Sequence, residues 1–444
     1  MNAHAIVLTS GTEWLPLVGG LTLPERLCHQ FAKFGATKVT VVGIDDQEHF
    51  LTTPRRPIIE IATVANLGDI ADPADLSVGQ EERVVVARAD RIYANELVAR
   101  AIRFDGAALL LEDKNRADQP VGLAVLPGTI LGQVFSGHSN AGGADSEASQ
   151  ANQQKVAARG PKEVFEAIVA ELTKDPNLER TDVAPFFWCP VEGDTDITPA
   201  RNALFKSLGK PIDGVVSRYL NRPLSQSISK RLCNLPVTPN MISAVVFIIG
   251  LGATATALLN TRIWIAVGGI LYHLASALDG VDGEIARVKF MSTKFGALLD
   301  SILDHIVEVA FIGAISFDIY WNGGSYAYVI MFYAILASVV IGSALVNYDQ
   351  ITKTSTGQPM ELQFAFDSEE AKEKPLAKAI NSVRFLVGRD VDSLILGSLA
   401  VLGILRPIPL MTVIVTSVYF VVVVGHKVHQ VISQKAVSGP TSAQ

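Results

Sequence analysis

Four aspartates stand out in the second half of this sequence because they interrupt stretches that are otherwise apolar. Asp279 and Asp282 are three residues apart, and Asp300 and Asp304 are four residues apart. Each spacing places both carboxylates on a single helical face. Two facing helices would therefore bring four carboxylates together, with a charge that one or two divalent cations would offset. Oxygen ligands without a nearby cysteine favour Mg²⁺ or Mn²⁺ over zinc.

Glycines and one arginine accompany these aspartates. Gly280 and Gly283 share the helix of the first pair, and Gly296 precedes the second pair by about one turn. Glycine removes side-chain bulk, so a ligand can approach the backbone closely. Arg287 can reach the same face with a planar donor fork that suits phosphate. Taken singly, the acids could form a proton or ion relay, the glycines could serve helix packing, and Arg287 could mark the membrane edge.

The elements that would hold these residues are membrane helices. The chain has 444 residues, of which 49% are hydrophobic and 18% charged, whereas an ordinary globular protein carries about 25% charged residues. Most of the apolar stretches are near the length that a bilayer requires, and the fifth is short. We predict six spans, at 240–260, 263–284, 295–320, 324–347, 390–405 and 407–426. Lysine and arginine concentrate in alternate connections, which predicts a multi-pass protein of the cytoplasmic membrane with both termini in the cytoplasm.

A basic amphipathic segment, at about 210–234, precedes the first span. Its apolar stripe repeats every four residues: Ile212, Val216, Leu220, Leu224, Ile228 and Leu232. Such a helix is suited to the bilayer interface, with its cations near lipid phosphates. We expect Pro223 to split it into two pieces. The alternative is a soluble helix that packs on its own domain.

Residues 5–201 have the pattern of a soluble α/β domain. Short apolar runs alternate with amphipathic helical stretches, which predicts strands joined by crossover helices in a mostly parallel, doubly wound (Rossmann-like) sheet. Residues 136–158 are rich in small and polar residues, so we predict a mobile loop there. The N-terminus lacks a signal-peptide pattern.

Charge and cysteine content exclude other classes. The net charge of −7 argues against a nucleic-acid binder. The three cysteines, Cys28, Cys189 and Cys233, are far apart, so we expect packing residues and neither a disulfide framework nor a zinc site.

The segment from Asp279 to Asp304 resembles the signature of the CDP-alcohol phosphotransferases. That signature is an Asp, two residues, Asp-Gly, two residues, Ala-Arg, eight residues, Gly, three residues, Asp, three residues and Asp. It is filled here by Asp279, Asp282, Gly283, Ala286, Arg287, Gly296, Asp300 and Asp304. Thr238, Pro239 and Asn240 resemble the family's entry to its first span. The resemblance covers about residues 210–430 and implies six membrane helices after an interfacial helix.

The resemblance also implies roles for these residues. The four aspartates, Asp279, Asp282, Asp300 and Asp304, would hold two Mg²⁺ or Mn²⁺ ions at the CDP pyrophosphate. The CDP site would comprise Asp279, Asp282, Gly283, Ala286, Arg287 and Gly296. Asp304 would be the general base that deprotonates the acceptor hydroxyl while CMP leaves. The family further implies a homodimer.

The first domain resembles the sugar-phosphate nucleotidyltransferases. Gly11 lies in the opening loop, and Asp90 and Asp194 occupy the positions of two metal-binding aspartates. Active members have a longer glycine-rich loop with an Arg and a following Pro-Lys, which this sequence lacks. Without those cations the triphosphate charge is uncompensated, so we predict an inactive domain.

The order of domains resembles the fused inositol-phosphate cytidylyltransferase and di-myo-inositol-phosphate phosphate synthase proteins. We divide the chain into a cytoplasmic nucleotidyltransferase-like domain (1–205), an interfacial helix (206–236), a six-span phosphotransferase domain (237–430) and a cytoplasmic tail (431–444). The expected reaction transfers a substituted phosphate from a CDP-linked alcohol to a hydroxyl. CDP-diacylglycerol and CDP-inositol are equally admissible donors.

The acceptor is expected to be a polyol or a polyol phosphate such as inositol phosphate. Its phosphate would need cations, for which Lys353, Arg384 and Arg389 are candidates, although they could instead set the topology. Two other functions stay open. The intramembrane acids could serve an ion or proton transporter, or a still active first domain could make the CDP donor for a bifunctional enzyme.

Overall fold

The computed structural model describes residues 3–10, 15–52, 57–65, 76, 78–79, 82–116, 120–136, 160–209, 214–353 and 389–437. The predicted loop at 136–158 lies outside these residues except for its first position. The chain forms two compact units. The first comprises Met1–Leu208 with the short segments Cys233–Leu235 and Val288–Phe290, and the second comprises Gly209–Leu232, Pro236–Arg287 and Met291–Gln444.

The first unit is built on β-strands. Its described strands are β1 (Ala3–Leu8), β2 (Leu17–Val18), β3 (Leu21–Thr22), β4 (Ala36–Val42), β5 (Glu60–Val64), β6 (Arg83–Arg88), β7 (Arg91–Tyr93), β8 (Ala108–Glu112), β9 (Leu123–Pro127), β10 (Leu178–Asp182) and β11 (Trp188–Pro190). Seven of them form one sheet in the order β10-β8-β9-β6-β1-β4-β5. Only β9 runs antiparallel to its neighbours in that sheet. The predicted α/β domain with a mostly parallel sheet is therefore confirmed.

Five described helices belong to this unit: α1 (Leu23–Phe34), α2 (Asn95–Arg103), α3 (Gly128–Ser136), α4 (Pro161–Leu172) and α5 (Asp194–Ser207). Neighbouring residues of β1 point to opposite faces, so Val7 packs in one core cluster with Phe31 of α1. Leu8 packs in a second cluster with Phe165 of α4. Apolar residues on both faces of the strands explain the near-continuous hydrophobic runs in the sequence.

The second unit is helical. A π-helical turn (Ser217–Asn221) leads into α6 (Arg222–Leu232), which is followed by α7 (Pro239–Ala257), α8 (Arg262–Val288), α9 (Lys294–Trp321), α10 (Ala327–Lys353), α11 (Arg389–Leu402) and α12 (Pro407–Val437). Within the described residues, four segments are long and apolar enough to cross a membrane: Pro239–Ala257, Arg262–Val288, Ala327–Tyr348 and Pro407–Gly425. Large apolar side chains are exposed along them, including Ile248 and Val421, as expected for contact with lipid.

The predicted count of six spans is not confirmed. Helix α9 has 28 residues, but it carries Asp300, Asp304, Glu308 and Asp318 and is therefore too polar to stand among the four. Helix α11 has 14 residues, which is short of the roughly 20 that a hydrocarbon core requires. The structure thus supports a membrane protein with four candidate spans.

Close backbone approaches hold the helices of the second unit together. A Cβ on Gly269 of α8 would lie 2.6 Å from the carbonyl oxygen of Gly397 in α11. The reverse substitution would place a Cβ on Gly397 2.7 Å from the carbonyl oxygen of Gly269. Small residues at such crossings let membrane helices pack by van der Waals contact. Tyr272 and Phe311 stack beside this crossing, with ring centroids 4.4 Å apart.

The amphipathic segment buries its polar face and exposes its apolar one. Leu220 is 49% exposed and Leu224 is 41% exposed, which leaves this part of the apolar stripe available to the bilayer interface. Pro223 does not split the segment. Instead, the backbone N–H of Arg222 donates to the carbonyl of Ser217, five residues earlier, and a π-helical turn of this kind passes directly into α6.

Candidate active site

A polar cavity of about 430 Å³ lies in the second unit. The π-helical turn and helices α6 to α9 form most of its wall, and the start of α11 completes it. All eight positions of the predicted signature line this one cavity: Asp279, Asp282, Gly283, Ala286, Arg287, Gly296, Asp300 and Asp304. The helical spacing in the sequence therefore leads to one shared site.

Three of the aspartates converge closely enough to share a metal ion. Carboxylate oxygens of Asp279, Asp282 and Asp300 all lie within 4.8 Å of one another. Asp304 lines the same cavity but is not part of this triad. An all-oxygen set of this kind fits Mg²⁺ or Mn²⁺. That the four aspartates bind metal stays a prediction, and Asp304 lies outside the triad that the geometry offers.

The Asp282 carboxylate is held in place from two sides. The Ser243 hydroxyl of α7 donates to its Oδ2 at 2.5 Å, and the backbone N–H of Gly283 donates to its Oδ1. Asp282 is 8% exposed. Outer partners of this kind fix the orientation of a ligating carboxylate, and Ser243 was not among the residues predicted from the sequence.

Gly283 makes room for the arginine of the signature. A Cβ at position 283 would lie 3.2 Å from a terminal nitrogen of Arg287. A Cβ there would require the guanidinium to move by a few tenths of an ångström. The glycine thus has a local reason beyond ligand access, because it lets Arg287 lie along its own helix within the cavity wall.

The N-termini of two helices meet the cavity. Thr238 caps α7 through a bond from the Met241 N–H to its hydroxyl at 3.4 Å. Thr293 caps α9 through a bond from the Gly296 N–H to its hydroxyl at 3.0 Å. Asn240 in the first turn of α7 also lines the cavity. Helix N-termini carry partial positive charge and favour anions, so this wall suits a phosphate group.

A buried glutamate links α6 to α8, and the sequence reading did not identify it. Glu284 is 0% exposed and occupies a position that the signature leaves open. It accepts hydrogen bonds from Arg222 Nη1 at 3.0 Å, from Ser225 Oγ at 2.8 Å and from Ser229 Oγ at 2.7 Å. Arg222 and Ser225 also line the cavity. Glu284 therefore fixes one wall of the site.

The sequence did carry a signal for this contact. Polar residues repeat every four positions beside the apolar stripe, and all are buried: Ser217, Asn221, Ser225 and Ser229. A short polar stripe on an otherwise amphipathic helix indicates a polar partner on a neighbouring helix, although it does not say which one.

The predicted acceptor residues are described only in part. Lys353 ends α10 and Arg389 begins α11, but their side chains, like the whole of Arg384, lie outside the described residues. Asp390, the next residue after Arg389, lines the cavity. The start of α11 is therefore part of the site.

In the first unit, Asp90 is engaged by arginine. Arg88 donates to Asp90 Oδ1 at 3.0 Å through Nε and to Oδ2 through Nη2. Arg91 lies 3.6 Å from Asp90 Oδ1 and 5.0 Å from the Trp188 ring, and burial lowers the pKa of its guanidinium. Asp194 is exposed at the start of α5, and Gly11 lies outside the described residues.

The fold and the site define a class: an α/β domain joined to a membrane-spanning helical domain whose carboxylate-lined cavity suits a divalent metal and phosphate. Comparison with known families gives a more specific result. Residues 236–368 match the family model for CDP-alcohol phosphatidyltransferase. The predicted resemblance of the membrane domain to the CDP-alcohol phosphotransferases is therefore confirmed over these residues.

Curated relatives agree with this assignment. A bifunctional IPC transferase and DIPP synthase of Aquifex aeolicus is 31% identical over 267 residues, 59% of this chain and 56% of the relative. The protein of the same name from Thermococcus kodakarensis is 36% identical over 177 residues, 38% of each chain. A phosphatidylinositol phosphate synthase of Corynebacterium glutamicum is 31% identical over 150 residues, 33% of this chain and 65% of the relative. The chain spans about half or less of the length of the bifunctional relatives it matches.

Proposed function

We propose that this protein is a metal-dependent phosphotransferase that uses a CDP-linked alcohol and releases CMP. The observation that carries the proposal is the convergence of Asp279, Asp282 and Asp300 in one cavity with Arg287. Carboxylates that bind a divalent ion and an arginine that binds phosphate are the two requirements for positioning a pyrophosphate. The family match over residues 236–368 supports the same chemistry.

Each residue of the site has a task in this reaction. Asp279, Asp282 and Asp300 would hold the divalent ions, which neutralise the charge of the pyrophosphate when bound. Arg287 binds a phosphate oxygen with its donor fork. Asp304, in the same cavity wall, accepts the proton of the acceptor hydroxyl as that oxygen attacks the phosphorus distal to cytidine. CMP then leaves.

The substrates are proposed from the relatives. Their printed names describe IPC transferase, DIPP synthase and phosphatidylinositol phosphate synthase, so we propose an inositol phosphate or a related polyol phosphate as acceptor. CDP-diacylglycerol and CDP-inositol are the candidate donors. Lys353, Arg384 and Arg389 are the proposed ligands of the acceptor phosphate. We further propose six spans, with α9 and α11 as the additional two, a homodimer, and both termini in the cytoplasm.

We propose that the first domain (1–205) does not make the donor. The Arg88 and Arg91 guanidiniums surround Asp90 and supply the positive charge that a metal ion would bring to a carboxylate in this position. A donor must then come from another enzyme. The competing proposal is that both reactions take place on this chain, as the name of the bifunctional relatives suggests for those proteins.

The direct test is CMP release by purified full-length protein in lipid nanodiscs. CDP-diacylglycerol or CDP-inositol would be supplied with inositol phosphate and Mg²⁺, with EDTA as the metal-free control. We expect Asp304→Asn to lower kcat by about 10²–10⁴-fold, the usual contribution of a general base, while Mg²⁺ binding persists. Absence of Mg²⁺-dependent CMP release with either donor would refute the proposal. The same protein would then be reconstituted into sealed lipid vesicles, and proton or ion flux across the vesicle membrane would favour a transporter.

The role of the first domain needs a separate experiment. CTP and inositol phosphate would be supplied without any CDP-linked donor, and pyrophosphate release would be measured. We expect none. Pyrophosphate release that Asp90→Asn abolishes would show a bifunctional enzyme.

A further inference from the structure

Two buried polar atoms in the cavity wall have no hydrogen-bond partner in the part of the chain that the structure describes. They are Oδ1 of Asn221 and Oγ of Ser276. Asn221 is 5% exposed and Ser276 is 6% exposed, and both residues line the cavity. A buried polar atom without a partner is unfavourable, and such atoms in a binding cavity indicate contacts that a ligand completes.

The side chain of Asn221 is oriented by α11. Its Nδ2 donates to Asp390 Oδ1 at 3.1 Å, which uses the donor end of the amide and leaves its oxygen as an acceptor. The backbone carbonyl of Asp390 in turn accepts a bond from the Ser393 hydroxyl at 3.1 Å. The subsite therefore combines groups from three elements: the π-helical turn (Asn221), α8 (Ser276) and α11 (Asp390).

The chemistry of this subsite differs from that of the metal and phosphate groups. An amide oxygen and a carboxylate are acceptors, and a hydroxyl both donates and accepts. The carboxylate of Asp390 repels a phosphate, whereas each of the three side chains can accept a hydrogen bond from a hydroxyl group. Two arginines are adjacent to these residues in sequence. Arg222 is paired with Glu284, and Arg389, whose side chain lies outside the described residues, is the proposed ligand of the acceptor phosphate.

We propose that Asn221, Ser276 and Asp390 form a subsite that binds the free hydroxyl groups of a polyol substrate. This inference rests on the proposed phosphotransferase function and adds to it: the metal and arginine groups bind the phosphates, and this subsite selects the polyol. It would favour an acceptor with ring hydroxyls over one that lacks them.

Ser276→Ala is the cleanest test. Because Ser276 Oγ has no partner among the described residues, its removal takes no known bond from the fold, and we expect an unchanged thermal midpoint. The KM for myo-inositol 1-phosphate should rise about threefold to tenfold, the effect of one neutral hydrogen bond, with kcat within twofold. Ser316→Ala is the matched control, since Ser316 is 0% exposed in α9 but does not line the cavity. It should change no kinetic constant.

Deoxy analogues identify the hydroxyl that is bound. With wild-type protein, one monodeoxy-inositol phosphate should show the same threefold to tenfold rise in KM, and Ser276→Ala should add nothing further for that analogue. If the rise is confined to a CDP-inositol donor, the subsite binds the polyol of the donor. If no KM for a polyol-bearing substrate changes, the inference is wrong.

A binding measurement with myo-inositol tests this subsite even if the proposed reaction does not occur. If wild-type protein releases no CMP, the thermal midpoint with and without myo-inositol is compared for wild type, Ser276→Ala and Ser316→Ala. Stabilisation of wild type and Ser316→Ala that is lost in Ser276→Ala supports the subsite without the reaction. Equal stabilisation of all three proteins, or of none, overturns it.

Discussion

The buried carboxylate of Glu284 offers the sharpest structural prediction. Replacing Glu284 with leucine removes the common acceptor of three hydrogen bonds from α6, including the carboxylate that pairs with the Arg222 guanidinium, which is 14% exposed. Breaking one side of a buried ion pair costs about 3–5 kcal/mol, because the remaining charge stays desolvated. We therefore expect the second unit to lose about that much free energy of unfolding.

This loss is measurable as a shift of the thermal midpoint. For a unit of this size, 1 kcal/mol corresponds to about 2–4 °C, so Glu284→Leu should lower the midpoint by about 6–20 °C in nanodiscs. Glu308→Gln is the matched control on α9, where the carboxylate is 23% exposed and its partner His305 is 3.7 Å away. A partly exposed pair of this kind contributes about 0–1 kcal/mol, so the control should shift the midpoint by less than about 4 °C.

A double substitution tests the reasoning itself. Arg222→Met combined with Glu284→Leu replaces the ion pair by apolar groups, which is often neutral for stability. The double variant should therefore be more stable than Glu284→Leu alone. CMP release should not recover with it, because Arg222 lines the cavity. A shift below about 2 °C for Glu284→Leu, or a double variant no more stable than the single one, would refute the role assigned to the Glu284 network.

Three further predictions concern other parts of the molecule. Gly283→Ala places a Cβ 3.2 Å from Arg287, so the guanidinium must shift by a few tenths of an ångström and the KM for the CDP donor should rise by up to about tenfold, the effect of one lost charged hydrogen bond, at an unchanged thermal midpoint. Gly269→Leu places its Cβ 2.6 Å from the carbonyl oxygen of Gly397 and should destabilise the second unit through overpacking, by about 1–3 kcal/mol. Gly252→Leu, whose Cβ would meet only a side-chain methyl of Leu271 at 4.0 Å, should lower the thermal midpoint less. Asp90→Asn removes a charged partner of a buried arginine and should destabilise the first unit by about 1–3 kcal/mol, seen by limited proteolysis, while CMP release stays within twofold.

The part of the site that was predicted correctly consists of residues that lie close together in the sequence. A spacing of three or four places aspartates on one helical face whatever surrounds the helix, and the structure indeed brings the eight signature positions to one cavity. The alternation of apolar runs and amphipathic stretches likewise indicated the α/β sheet. The antiparallel direction of β9 was not predictable in this way, because a strand's direction depends on pairing across the sheet and not on its own residues.

The count of six spans is not confirmed, for a related reason. Hydropathy averages over a segment, so α9 counted as a span although its acids place it outside the four apolar helices that the structure describes. Two of those acids, Asp300 and Asp304, line the cavity, where a polar surrounding lets a membrane helix carry them. The polarity of a membrane helix depends on what faces it, and the sequence of that helix alone does not contain this information.

The sequence by itself determined the chemistry: carboxylates, glycines and an arginine at fixed helical spacing, in an apolar region, next to a basic amphipathic helix. The tertiary structure alone decided which distant groups complete the site. Glu284 meets Ser229 across 55 residues of chain, and Asn221 meets Asp390 across 169. Helical periodicity relates residues within a few turns, whereas contacts at such separations are set by how whole helices pack, so they become visible only once the helices are assembled.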